Sequence, residues 1–162
     1  MLNEKETLSL SMRELMPFVE EELAAGKEAV LTVKGYSMDP FLVHNRDKVY
    51  LTALNGTPLR KGDVVMFCRE DGSYAMHRIY KIRADGSMDI VGDSQYICDA
   101  GVTLSMIKAY VPKVIRKGKT ISCEKGLWRF WMVRYMNLRM RCPRLAKHFM
   151  RFCGRLHRLM HH

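Results

Sequence analysis

Between Ala29 and Cys123 the chain is cut into short β-rich runs by glycine-bearing turns, and this rhythm limits the fold more than any other feature. Runs rich in Val, Ile, Tyr and Thr occupy residues 29–34, 48–52, 63–68, 74–82, 88–91, 107–115 and 120–123. Asn55-Gly56, Asp71-Gly72, Asp85-Gly86 and Lys117-Gly118 punctuate them, and such pairs favour tight turns. Short strands at this spacing predict a mainly β fold, a compact barrel or sandwich with few helices. A chain of 162 residues suits one core.

Helical patterning is confined to the ends. Leu15, Phe18, Val19 and Leu23 share one helix face, and Gly26 is a natural stop. Ser11 and Glu14 have capping-box spacing, but a helix starting there would hold Pro17 in its interior. The expected start is therefore near Met16, with Pro17 in the first turn. The chain divides into an N-terminal helical segment over 1–28, a β domain over 29–124 and a basic helical tail over 125–162.

The net charge of +10 belongs to the tail alone. Residues 125–162 hold ten Lys and Arg and no Asp or Glu, so the other 17 basic residues balance the 17 acids of the body. No run approaches the roughly 20 apolar residues that cross a bilayer. Met1-Leu2-Asn3-Glu4-Lys5-Glu6 lacks the apolar block of a secretory signal, which leads us to expect a cytoplasmic protein. Five cysteines without a CxxC pair fit neither a disulfide framework nor a structural zinc site, and neither metal nor cofactor is expected.

Three segments carry chemistry. In Lys34-Gly35-Tyr36-Ser37-Met38-Asp39-Pro40 a serine follows a strand and sits on a bend between glycine and proline, where its hydroxyl can be presented to a ligand. Alternation along Tyr74-Ala75-Met76-His77-Arg78-Ile79 sets His77 on a face with Ala75 and Ile79. Gly92-Asp93-Ser94-Gln95-Tyr96-Ile97-Cys98-Asp99 then offers two carboxylates in the following loop. A serine hydroxyl becomes a useful nucleophile when a base takes its proton, and a carboxylate on the far imidazole nitrogen fixes the tautomer of that base. Singly, Ser37 could be a turn residue and His77 a packed core residue; their order as Ser, His, Asp is what points to catalysis.

Together, Gly35-x-Ser37-Met38-x-Pro40, Gly62-Asp63-Val64-Val65, His77-Arg78-Ile79 and Gly92-Asp93 with Asp99 resemble the signal peptidases. The similarity spans roughly residues 30–114 and lies with the histidine-containing branch rather than the lysine-containing one. It implies a signal-peptidase/LexA-like β fold, Ser37 as nucleophile, His77 as general base and Asp99 as the catalytic carboxylate. Asp93, Gly35, Met38 and Pro40 take supporting roles. It further implies a serine endopeptidase that cleaves an extended peptide or precursor segment after small residues. Activity is then expected to rise with pH through a histidine-like value near ~6.5. Gly35 stands where lysine-branch members can place a serine, so no side chain at that position supplies an oxyanion donor.

The tail mixes bulky apolar residues with arginines through Leu127-Trp128-Arg129-Phe130-Trp131-Met132-Val133-Arg134 and beyond, the composition of a segment that lies on a surface. Pro143 is expected to separate it from a second helix running to about Leu159. The tail either rests on an anionic membrane, holding the protein peripherally on the inner face, or packs its aromatics on the β body. A basic amphipathic segment is not by itself a nucleic-acid reader, so nucleic acid ranks below both. Two other functions share the motifs. One is a LexA-like switch cutting its own Ala25-Gly26 bond, although the few residues before the first strand leave no room for a DNA-binding domain. The other is a non-catalytic module using the same groove.

Overall fold

The structure, a computed structural model, describes residues 11–143. It is a mixed α/β arrangement, mostly antiparallel β, with two sheets and a helix at each end. The helix expected after Pro143 falls outside the described residues.

Helix α1 spans Met12–Ala24 and starts earlier than the sequence suggested. Both halves of the capping box form: Ser11 Oγ accepts from Glu14 N at 3.3 Å, and Glu14 Oε2 accepts from Ser11 N at 2.8 Å. Pro17 sits inside the helix and removes one backbone bond. The cap and the full burial of Met16 in the first turns offset that loss.

Strands β1 (Ala29–Thr32), β2 (Asp47–Leu51), β8 (Lys113–Arg116) and β9 (Lys119–Ser122) form one sheet in that spatial order. The second runs β6 (Asp99–Val102), β5 (Met88–Val91), β4 (Tyr74–Ile82), β3 (Val64–Cys68) and β7 (Ile107–Tyr110). The single run expected over 107–115 is two strands. Pro112 has no N–H to give a ladder, and the chain changes sheets at Val111-Pro112. Thr52 and Tyr110 exchange both backbone bonds at 3.0 Å and join the sheets at that corner.

One core cluster, with Val33, Met38, Leu42, Val49, Val64, Met66 and Val114, receives Met16, Val19 and Leu23 from α1. A second, around Val65, Phe67, Ile79, Ile90 and Val102, fills the other face of the second sheet. Helix α2 (Gly126–Arg141) lies against the body, with Met132, Tyr135, Met136 and Arg139 buried and Trp128 edge-on to Phe41. Gly62 makes that approach possible, since a Cβ there would stand 2.5 Å from Val133 Cγ2. Arg129 of α2 then donates to Asp63 at 2.5 Å.

Candidate active site

The nucleophile candidate and the base candidate come from different sheets. Ser37 follows β1 of the first sheet, whereas His77 lies on β4 and Asp99 opens β6 of the second. Ser37 and His77 meet at a cleft of about 670 Å³ whose wall also includes Gly35, Met38, Arg69 and Gln95, with Asp99 outside that wall, behind His77. Met12, Leu15, Leu31, Met66 and Met76 make most of the rest of it apolar.

The turn holding Ser37 is tied down on two sides. Gly35, at φ +85°, donates its N–H to His44 Nδ1 at 2.9 Å. On the other side Ser37 O accepts from Ser94 N at 2.8 Å, and Ser94 Oγ donates to Tyr36 O at 2.8 Å. Met38 is buried beneath the turn, and Pro40 follows it through a cis Asp39–Pro40 peptide. Gly92 is needed because a Cβ there would lie 2.6 Å from Ser37 O. The glycine of the Gly92-Asp93 pair therefore sets the position of the serine.

His77 is 3% exposed and packs against Phe67. Its Nδ1 lies 3.0 Å from Asp99 Oδ2. A carboxylate there can only accept, which puts the proton on Nδ1 and leaves Nε2 as the basic nitrogen. Asp99 is itself gripped by Arg69, with Nε to Oδ1 at 2.5 Å and Nη2 to Oδ2 at 3.0 Å. Burial works to raise the Asp99 pKa, but the bonds from Arg69 and His77 bring it below the ordinary carboxylate value. For His77, burial is the largest influence and Arg69 adds to it; against the pull of Asp99 they hold the imidazole below its usual 6.5. No hydrogen bond joins Ser37 Oγ to His77 among the described residues.

The two aspartates have separate partners. Asp93 is fully buried and binds Arg78 at 2.8 and 2.5 Å, while Arg78 Nη1 donates to Gly62 O at 2.9 Å. The sequence blocks 62–63, 77–79 and 92–93 are thus joined through one buried guanidinium, and Asp93 supports the loop without being hydrogen-bonded to His77. Arg69, Arg78 and Ser94 are the participants that sequence reasoning did not single out for these roles. Arg78 and Ser94 had a signal in their place inside the motif segments, whereas Arg69 lies outside them. Arg139 is a further one: from α2 it donates to Gly92 O at 2.9 Å with its guanidinium over the Tyr96 ring. The Ala25-Gly26 bond lies in the hydrogen-bonded turn closing α1, where Ala25 N donates to Glu21 O and Gly26 N to Leu23 O. Neither residue lines the cleft, which instead meets the first turn of α1. Compared with family models and with curated proteins, the chain has no match.

Proposed function

We propose that the protein is a serine endopeptidase resembling signal peptidase, built on a signal-peptidase/LexA-type β fold. The observation that carries the reading is the Asp99 carboxylate 3.0 Å from His77 Nδ1, with Ser37 and His77 on the wall of one cleft. An extended substrate segment lies in the cleft, using main-chain bonds for affinity and apolar contacts with its walls for selection. The bond cut follows a small residue, as the family resemblance implies. Ser37 Oγ attacks the carbonyl carbon and gives its proton to His77 Nε2. The C–N bond then breaks as the imidazolium returns that proton to the leaving amine. Asp99 stabilises the imidazolium, and Arg69 holds Asp99 ionised and aligned. The Ser37 N–H, bonded to no other group among the described residues, is the oxyanion donor. Water then hydrolyses the acyl-enzyme with His77 again as base. The Ala25-Gly26 bond is the wrong shape for such a substrate, being folded in a helix-closing turn.

The test compares newly formed protein N-termini in cells producing wild type, Ser37→Ala or His77→Ala at matched levels. Termini that follow small residues are expected with wild type and absent with both variants. The same termini in all three cells, with folded protein in each, would favour a peptide-binding module that uses the cleft without cutting.

A further inference from the structure

Helix α2 is apolar on two sides, and the fold uses only one of them. At about 100° per residue, Trp128, Met132, Tyr135, Met136 and Arg139 share the side turned to the body. Leu127, Phe130, Trp131, Arg134 and Leu138 fall within about 100° of one another on the opposite side. There Leu127 is 78% exposed, Trp131 60%, Phe130 49% and Leu138 39%. Single exposed apolar residues are ordinary, but a contiguous aromatic and aliphatic strip on a helix is not.

We propose that this strip is the docking surface of the protein for an anionic lipid bilayer. Charge selects that occupant over others. Arg134 lies inside the strip with its guanidinium 5.1 Å from the Phe130 ring, and exposed Lys125 and Arg141 stand at either end. From Lys125 onward the sequence has ten cationic side chains and no acidic one. Five of these cations lie in residues 144–162 and add to the attraction of the chain for a negative surface. Tryptophan and phenylalanine interleaved with arginine suit the bilayer interface, where rings enter the acyl boundary and guanidinium groups reach the headgroups. No described helix is long and apolar enough to cross a membrane, so the contact is one of lying on the surface. The helix is also fastened to the loop that touches the Ser37 turn: Arg139 on its inner side donates to Gly92 O. The inference survives or fails independently of the peptidase reading.

The full-length protein is tested by co-sedimentation with vesicles of phosphatidylcholine alone and with phosphatidylglycerol added. Binding is expected only to the anionic vesicles and to weaken with salt. Because Trp131 is exposed and Trp128 packs on the body, the blue shift on binding is expected to vanish in Trp131→Phe while sedimentation persists. Trp131→Glu is expected to lower vesicle affinity by at least about tenfold with an unchanged Tm, and Arg134→Glu to do the same. Wild-type affinity in Trp131→Glu would overturn the proposal. So would Trp131 emission already blue-shifted in buffer, which would mean that the chain covers its own strip. A dimer in light scattering that Trp131→Glu converts to monomer, without vesicle binding by wild type, would assign the strip to a second copy instead.

Discussion

Asp99 sits between the Arg69 guanidinium and the His77 imidazole, and Arg69 joins burial in setting the behaviour of His77. Arg69 keeps the carboxylate ionised and also adds positive charge near the imidazole. The His77 pKa therefore lies below 6.5, burial being the main cause, and kcat/KM is expected to rise with pH through a midpoint below that value. Removing the Arg69 cation takes away one influence that lowers His77, so Arg69→Gln is expected to move the midpoint upward. Glutamine keeps much of the size, and a merely structural role would lower the rate without moving the profile. A pH–rate profile of both proteins decides it; an unmoved midpoint contradicts the electrostatic role. His77 and Asp99 were legible in the sequence because each belongs to an ordered block. Arg69 was not, because a charged residue beside a hairpin turn reads as solvated until its partner on another strand is known.

At the scale of elements, the loop between β5 and β6 positions Ser37 by contact rather than by side-chain chemistry. Gly92→Ala would force a methyl group to within 2.6 Å of Ser37 O and 2.9 Å of Gln95 Oε1. The variant is expected to lose about 1–3 kcal/mol of stability through overpacking and about 100-fold in kcat/KM through displacement of Ser37. A folded variant with full kcat/KM would show that the turn absorbs the methyl. Strands over 74–82 and 88–91 were readable because alternation and flanking Asx-Gly turns agree there. Strand β6 was missed: Asp99-Ala100-Gly101-Val102 has one β-branched residue and gains its state from pairing with β5. Helix α1 starts before Pro17 because the capping box and the buried Met16 outweigh the one bond that proline removes. For α2, the reading that its aromatics pack on the body holds for Trp128 and Tyr135, whereas Leu127, Phe130 and Trp131 face outward.

Across the whole molecule the cleft depends on how the Ser37 loop is clamped to the first sheet. Asp47 is fully buried and binds Arg116 Nε and Nη2 at 3.0 and 2.7 Å, Arg46 Nη2 at 2.9 Å and Val43 N at 2.9 Å. Arg116 Nη2 also donates to Phe41 O, and Phe41 packs against Trp128 and Tyr135 of α2. Burial alone would raise the Asp47 pKa, but the Arg116 and Arg46 bonds bring it down to about 2, from 3.8. A carboxylate lowered on folding contributes stability that is present above its unfolded value of 3.8 and is lost as pH falls through about 2. Asp47→Asn is accordingly expected to lower Tm at neutral pH, with the gap from wild type narrowing between pH 3.8 and 2. Thermal melts across that range check it; a gap independent of pH would mean that the clamp acts through shape alone.

The central claim, that Ser37 is a nucleophile activated by His77, is tested most directly by the rate at which a fluorophosphonate modifies the protein, followed by intact mass and mapped by peptide sequencing. The account predicts a single adduct on Ser37 in wild type, formed about 100-fold or more slowly in His77→Ala. An unmodified Ser37, or a rate that His77→Ala leaves unchanged, would contradict it.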